Sequence, residues 1–598
     1  MHKFTIHKEA RSTMNYNLNK AEDKAAPKTS SLKSLKKLVM LISHERKNLI
    51  IAFSAILLNA ILNLVGPYLL GHTIDTYIQN KEYNGVLLFS GILLVLYTLA
   101  FFVNYMQMRL MGSIGQRMLF TLRNAVFNKL QELPVDFFNQ NKSGDLISRI
   151  NNDTDKVNIF FSQSLMQFIG SIFTMTGAGI FLLCMNLPLG VAVLLPALFV
   201  WILTLLLSPW VKRRNAESLK STGELSAEIQ ESLANLKVII AFDRRDYFRK
   251  RFEEVNQDNY SKSIKAGIAN NTFMPIYTFA ANLGQLIVLI LGIYLIVKGN
   301  FTLGLLISFI AYVNNFYNPL RQLAALWANF QVAMAGWDRI SQLLSLENNL
   351  NIAESTACVT SNSYLTFRNV SFKYSDNKEV LHKVSFDLER GKTYAFVGPT
   401  GGGKTTTASL IARLYDSTKG RVILDGKDIR SYTPAERSQK IGFILQEPIL
   451  FSGTVRENIL YGNSEYQNYS NEQLEKIISE AGLESLLERF DEGLDTQASS
   501  EGISLGQKQL IAFMRAVLRK PELLILDEAT ANIDTMTEQL LDKILKKLPA
   551  TTTRVIIAHR LNTIENADEI FFVNMGKVIP AGSLSDAVAL LMNEKSES

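Results

Sequence analysis

Eight consecutive residues, Gly398-Pro399-Thr400-Gly401-Gly402-Gly403-Lys404-Thr405, follow the spacing G-x-x-x-x-G-K-S/T in full. A strand-like run, Thr393–Val397, precedes them, and a helical run beginning at Thr406 follows. Glycines at these places let backbone N–H groups curl around an anion, and the helix start adds its dipole. The ammonium of Lys404 would reach the outer phosphates and the Thr405 hydroxyl would ligate a hard cation. The chemistry is capture of a nucleoside triphosphate with Mg2+. Further on, the apolar run Leu523–Leu526 ends in two acids, Asp527 and Glu528. Asp527 stands where a carboxylate would hold Mg2+, and Glu528 where one would polarise an attacking water. His559 ends the apolar run Val555–Ala558. A lone His there is usually structural, but beside a γ-phosphate it would stabilise transferred charge.

Two very different stretches of chain must position these groups. From about residue 363 strand-like and helical runs alternate, the pattern of an α/β domain. Before about residue 325 six apolar runs stand out, at about 49–70, 86–106, 163–185, 187–209, 273–297 and 302–323. Roughly 20 apolar residues cross a bilayer as a helix. The connections after the first, third and fifth runs are short and carry Lys81, no basic residue, and Lys298. Those after the second and fourth are long, helical in pattern, and rich in arginine, including Arg109, Arg117, Arg123, Arg149, Arg244, Arg245, Arg249 and Arg251. The positive-inside rule puts these long loops and both termini in the cytoplasm. Arms of about 25 residues would carry them roughly 35–40 Å from the bilayer. Turn-rich tips, Leu133–Asp145 and less clearly Glu224–Asn235, are expected to dock crosswise on the α/β domain.

The chain is therefore multidomain. A polar tail (1–35) is expected to be disordered; an all-α six-helix transmembrane domain with long intracellular hairpins (36–344) follows; a linker (345–362) leads to an α/β phosphate-loop nucleotide-binding domain (363–598). The net charge of +7 falls largely on residues flanking the apolar runs, such as Lys36, Lys37, Lys212 and Arg213. That placement suits anionic lipid headgroups and argues against nucleic acid. Cys184 and Cys358 are too few and too far apart for a disulfide framework or a metal site.

Together these residues resemble the half-transporters of the ABC exporter family, of the multidrug and lipid-flippase type, over about residues 36–590. The resemblance implies further roles. Tyr374 is similar to the aromatic that stacks on adenine. Gln446 is similar to the glutamine that links Mg2+ to the membrane hairpins. Asp534, in Ala531-Asn532-Ile533-Asp534, matches the D-loop, and Thr406 completes the phosphate loop. Ile503-Ser504-Leu505-Gly506-Gln507 stands for the family's Leu-Ser-Gly-Gly-Gln signature. Ser504, Gly506 and Gln507 match, whereas Leu505 replaces a glycine whose backbone approaches nucleotide. The lead-in, Thr496–Gly502, is about two residues short of the usual pattern.

In that family each ATP lies between the phosphate loop of one chain and the signature of another. An intact loop beside an altered signature favours a heterodimer, with this chain supplying the competent hydrolytic residues; a homodimeric lipid or lipid A-type flippase is the alternative. The resemblance implies ATP hydrolysis, Mg2+, contact with membrane lipids, and an amphipathic drug, lipid or hydrophobic peptide exported through the bacterial inner (plasma) membrane, with the ATPase cytoplasmic. Residues Asn282, Gln285, Phe309, Tyr312, Asn314, Asn315 and Phe316 are candidates either for substrate contact or for interhelical packing.

Overall fold

The computed structural model describes residues 16–18, 45–347, 350, 352–353, 363–374, 378–498, 502–527, 535–557, 567–582, 585–586 and 589. They fall into two compact units. One comprises 21–130 and 144–345; the other comprises 1–20, 131–143 and 346–598.

The first unit is helical. It contains α1 (Arg46–Thr73), continued by a π-helical turn to Ile78, and most of α2 (Tyr83–Glu132). The short helix α3 (Val135–Gln140) falls in the other unit. Helical pieces from Ser143 lead into α4 (Leu165–Met185), then α5 (Leu187–Ala234), α6 (Leu236–Ala241), α7 (Arg245–Asn271), α8 (Phe273–Val297) and α9 (Leu303–Leu344). Among the described residues, five helical stretches are long and apolar enough to cross a membrane. At 1.5 Å per residue, the 50 residues of α2 extend to roughly 75 Å, far more than a bilayer core of about 30 Å.

The sixth expected run forms the first half of α9, which is more polar than the other five. Its polar groups are used inside the helical unit. The hydroxyls of Ser308, Tyr312 and Tyr317 donate to the carbonyls of Pro67 (2.8 Å), Leu64 (2.6 Å) and Val193 (2.8 Å). Gln285 Nε2 donates to Asn314 Oδ1 at 2.8 Å, and Phe309 and Tyr312 are fully buried, so these four are interhelical packing residues. Asp75, at the start of the π-helical turn, accepts from the Gly304 N–H (2.6 Å) and the Thr302 hydroxyl (2.5 Å), holding the start of α9 to the end of α1. Asn186 caps α5 by accepting from the Leu189 N–H, which explains the tight α4–α5 turn.

One expectation shifts. The second hairpin turns at Asn235 rather than over 224–235, and its tip is α6. Residues 224–234 are good helix formers and simply extend α5. On the first hairpin, the fully buried Arg149 donates to Asp145 (2.9 Å) and to the Arg339 carbonyl (2.8 Å), while Arg339 pairs with Asp145 and Asp153.

The second unit is built on two sheets. Strands β1 (Ser363–Lys373), β2 (Glu379–Glu389), β4 (Lys419–Leu424) and β5 (Lys427–Asp428) form an antiparallel sheet in the order β2-β1-β4-β5. The larger sheet holds β3 (Thr393–Val397), β6 (Ile441–Ile444), β7 (Leu523–Asp527), β8 (Thr553–Ile557), β9 (Glu569–Asn574) and β10 (Lys577–Pro580), in the order β10-β9-β3-β8-β7-β6. All its neighbours are parallel except β9 and β10. Strands β3 and β7 are buried at every position, which is why they read as unbroken apolar runs. Helices α10 (Lys404–Ile411), α11 (Leu505–Val517) and α12 (Thr535–Lys547) belong to the same unit.

Candidate nucleotide site

Strand β3 runs directly into the glycine loop, which ends at α10. A parallel sheet gathers its loops at the carboxyl ends of its strands, where open α/β sheets bind ligands. Gly398 and Gly403 have φ of 143° and 115°, values that side chains resist. A Cβ on Gly398 would also collide with the Val573 carbonyl, and one on Gly403 would press on Leu381. The loop is thus pinned from behind by β2 and by the β9–β10 turn, whose Gly576 N–H donates to the Gly402 carbonyl at 3.1 Å. Sequence reasoning missed this brace. Its only signal was Met575-Gly576 between two apolar runs, both residues having positive φ.

Lys404 is 5% exposed, and its Nζ donates to the carbonyls of Gly398 (2.9 Å) and Pro399 (3.0 Å). The cation is folded over its own loop, next to the space the backbone encloses. Thr405 is exposed at the head of α10, and its hydroxyl donates to Asp527 Oδ1 at 3.3 Å. Asp527 itself is 2% exposed at the end of β7. The hydroxyl and the carboxylate therefore converge as a hard-oxygen pair. Gln446 is exposed two residues beyond β6, the strand that pairs with β7. Asp527 lies opposite Ile557, so the strands leading to residues 528 and 559 end side by side. Glu528, Asp534 and His559 themselves lie outside the described residues.

Tyr374 sits at the flank of the loop. Its hydroxyl shares a hydrogen bond with the Thr406 hydroxyl at 3.0 Å, and its ring meets Phe372 (4.8 Å) and Tyr415 (5.4 Å) edge to face. The Tyr415 hydroxyl accepts from Asn139 Nδ2 of α3 at 2.6 Å. Burial pushes the Tyr415 phenol up to about 12, helped by Tyr374 and Asp136 and opposed by the Asn139 bond. It is therefore neutral over the whole physiological range.

The structure brings Tyr374, Lys404, Thr405, Thr406 and Asp527 together around the loop. The signature residues stand elsewhere in their contacts. Ser504 caps α11: its Oγ accepts from the Gln507 N–H at 3.2 Å, and Gln507 Oε1 accepts from the Ser504 N–H at 3.0 Å. Gln507 Nε2 also donates to the Arg489 carbonyl. Leu505, the first helical residue, is 47% exposed, and Gly506 follows it.

Comparison with known proteins agrees with this arrangement. The profile of the ABC transporter transmembrane region matches residues 49–320, and that of the ABC transporter matches residues 381–531. The chain belongs to the ABC transporter family: it is an exporter with transmembrane and ATP-binding domains in one chain, and it couples ATP hydrolysis to transport. It is 35% identical to the uncharacterized ABC transporter ATP-binding protein YfiC of Bacillus subtilis, over 91% of this chain and 90% of that protein. It is 32% identical to a fatty acid ABC transporter ATP-binding/permease protein of Mycobacterium tuberculosis (86% and 81% covered). It is 30% identical to an ATP-dependent lipid A-core flippase of Pasteurella multocida (94% and 97% covered). A bacterial Atm1-family ABC exporter solved with ATP bound shares the fold, with a TM-score of 0.76 at 23% identity over 92% of this chain and 96% of that one.

Proposed function

We propose that this chain moves an amphipathic substrate (a drug, lipid or hydrophobic peptide) out across the bacterial cytoplasmic membrane as one half of a dimer, with the ATP-binding domain and both termini on the cytoplasmic side. The observation that carries the proposal is the Thr405–Asp527 pair beside the Lys404-capped glycine loop, in a chain whose other unit is long apolar helices. Lys404 holds the β- and γ-phosphates, and residues 398–406 supply backbone donors. Tyr374 presents an aromatic edge of the site to the base. Mg2+ fits the hydroxyl, carboxylate and amide oxygens of Thr405, Asp527 and Gln446, and would neutralise phosphate charge there. Glu528 orients the attacking water, and His559 and Asp534 complete the hydrolytic side.

Two features support a partner chain. The tip of the second hairpin exposes Leu236, Val238, Ile240 and Phe242, the last at 74%, an apolar patch of the kind that marks a protein contact. The signature Ser504, Gly506 and Gln507, led by the exposed Leu505, faces outward from its own helix start. We place it against a partner's nucleotide and favour a different chain as that partner, because the hydrolytic set here is whole while the signature is not. The relatives' printed substrates, fatty acid and lipid A-core, share amphipathic chemistry with this reading.

Glu528→Gln tests it. The variant in lipid vesicles should keep ATP affinity and lose nearly all turnover and uptake of fluorescent lipid or drug probes. Turnover close to that of the unaltered protein removes Glu528 from its role, and probe uptake indifferent to ATP removes the transport reading.

A further inference from the structure

Three residues of the expected tail, Tyr16-Asn17-Leu18, are packed into the structure. Tyr16 is 1% exposed and Leu18 2%. They lie in the same compact unit as the first hairpin turn and the residues after α9. The contacts have a defined pattern. The Tyr16 N–H donates to Gln140 Oε1 at 3.0 Å. The Leu18 N–H donates to Asn141 Oδ1 at 3.1 Å, and Asn141 Nδ2 returns a bond to the Tyr16 carbonyl at 3.0 Å. One side-chain amide thus pairs with both a donor and an acceptor of the segment, as a neighbouring β-strand would. The Tyr16 ring stands edge-on to Phe137, 6.3 Å away, and Phe137 is fully buried. The Tyr16 hydroxyl donates to the Glu347 carbonyl at 3.0 Å, beyond the end of α9.

The element being held needs holding. Helix α3 has six residues, far too few to be stable alone, so its order comes from what packs on it. Its Asn141 end is extended backbone, and a further anchor among the described residues is the Asn139–Tyr415 bond. Buried Phe137 and the Asn141 amide have Tyr16 as a shared partner.

We propose that the turn of the first hairpin is a peptide-recognition site whose ligand is this chain's own Tyr16–Leu18 segment. Tyr16 is a positioning residue: it orders α3, and through α3 the Asn139 contact to Tyr415, and it ties that turn to the backbone at Glu347. The inference does not depend on the transport reading, because it concerns a resting contact that is measured without ATP.

Amide hydrogen exchange on the full chain in lipid nanodiscs, without nucleotide, tests it. The Tyr16 and Leu18 amides should exchange roughly 10- to 100-fold more slowly than the same residues in a free peptide, since each donates a hydrogen bond inside a buried contact. Asn141→Ala should return both to the free-peptide rate and speed exchange across 135–141. Tyr16→Ala should do the same, and the Tyr16→Ala/Asn141→Ala pair should add nothing to either alone. Tyr16→Phe keeps the ring on Phe137 and loses only the bond to Glu347, so it should preserve most protection of α3; a merely space-filling role for the backbone would not distinguish it from Tyr16→Ala. Should Asn141→Ala not fold, Tyr16→Ala carries the same comparison from outside the hairpin. Free-peptide rates at Tyr16 and Leu18 in the unaltered chain, or unchanged exchange at 135–141 in Tyr16→Ala, would overturn the proposal. So would protection that mixed, differently labelled chains show to come from a partner copy.

Discussion

Replacing Leu505 by glycine separates the two ways the altered signature could be used. The cost to the fold can be worked from the structure. Leu505 is 47% exposed, so about half of its side-chain burial is lost, roughly 1 kcal/mol. Glycine in a helix costs up to about 1 kcal/mol more relative to alanine, less at a first position. The Ser504–Gln507 capping box does not use the Leu505 side chain and stays, so α11 should survive with at most about 2 kcal/mol lost locally. Against this stands relief of crowding where a partner's nucleotide approaches the helix start. Overpacking of this size typically costs about 1–3 kcal/mol, a factor of roughly 5 to 150 in an equilibrium or rate. If the chain works with a second copy of itself, every ATP meets this signature, and steady-state ATPase of the purified chain in nanodiscs should rise by about tenfold in Leu505→Gly. If it works with a different chain that carries the intact signature, the fast site does not contain Leu505, and ATPase of the pair should change by less than about twofold. Where the lone chain hydrolyses ATP with only its own signature, an ATPase unchanged by Leu505→Gly would refute the crowding argument, because the side chain would then be present at the site without obstructing it.

Three further outcomes follow from the site and its scaffold. Lys404→Ala removes a nearly buried cation whose Nζ caps two loop carbonyls, and ATP affinity measured by calorimetry should fall at least about tenfold, the loss of one charge-assisted hydrogen bond. Tyr374→Phe removes the hydroxyl shared with Thr406 and should weaken ATP binding less than about fivefold, whereas Tyr374→Ala, which also removes two edge-to-face ring contacts, should weaken it further; equal affinities for both variants would exclude the ring. Asp425 and Glu522 share Arg390 and Lys440 at 2.7–3.0 Å. Burial pushes both carboxyls up, but Lys440 and Arg390 outweigh it and leave both below the usual range. Their stabilisation is therefore full above the unfolded carboxylate pKa of about 4 and is lost as pH falls through the lower native values. Glu522→Gln should melt earlier than the unaltered chain at pH 7, by less than about 1 kcal/mol because the carboxyl is a third exposed, and the gap should narrow as pH falls below the ordinary carboxylate range.

The phosphate loop was legible because its chemistry demands particular residues at fixed spacing. Its strand and helix were legible too, since β3 and β7 are buried on both faces and can only be apolar. The membrane helices were legible because a bilayer-crossing stretch must be apolar even where the protein does not cover it, with one instructive weakness in α9. Its Ser308, Tyr312 and Asn314 are satisfied by carbonyls and amides of neighbouring helices, and a sequence shows such residues as polar without showing their partners. The position of the second hairpin turn was not legible, because residues 224–234 favour helix as strongly as those before them. The brace of the loop by Gly576 joins backbone to backbone, and the Asn141 side chain meets the backbone of Tyr16; both link residues far apart in the chain through at least one backbone group. No local pattern encodes such a pairing, since nearly any residue offers the same N–H and C=O.

That difference bears on how nucleotide capture can be felt beyond the loop. Thr406, on α10, touches Tyr374; Tyr374 meets Tyr415; Tyr415 accepts from Asn139 on α3. Each link is short-range, and burial, helped by Tyr374 and Asp136, pushes the Tyr415 phenol up to about 12, so that link is made by a neutral phenol at physiological pH. A chain of contacts transmits nothing by being contiguous; it needs an element with two arrangements that the two ends favour differently. Helix α3 is suited to be that element, since six residues have no stability of their own and take the arrangement their neighbours impose. On this view the loop binds with groups the sequence announces. What its occupation can move is decided by contacts on α3 that only the folded chain reveals.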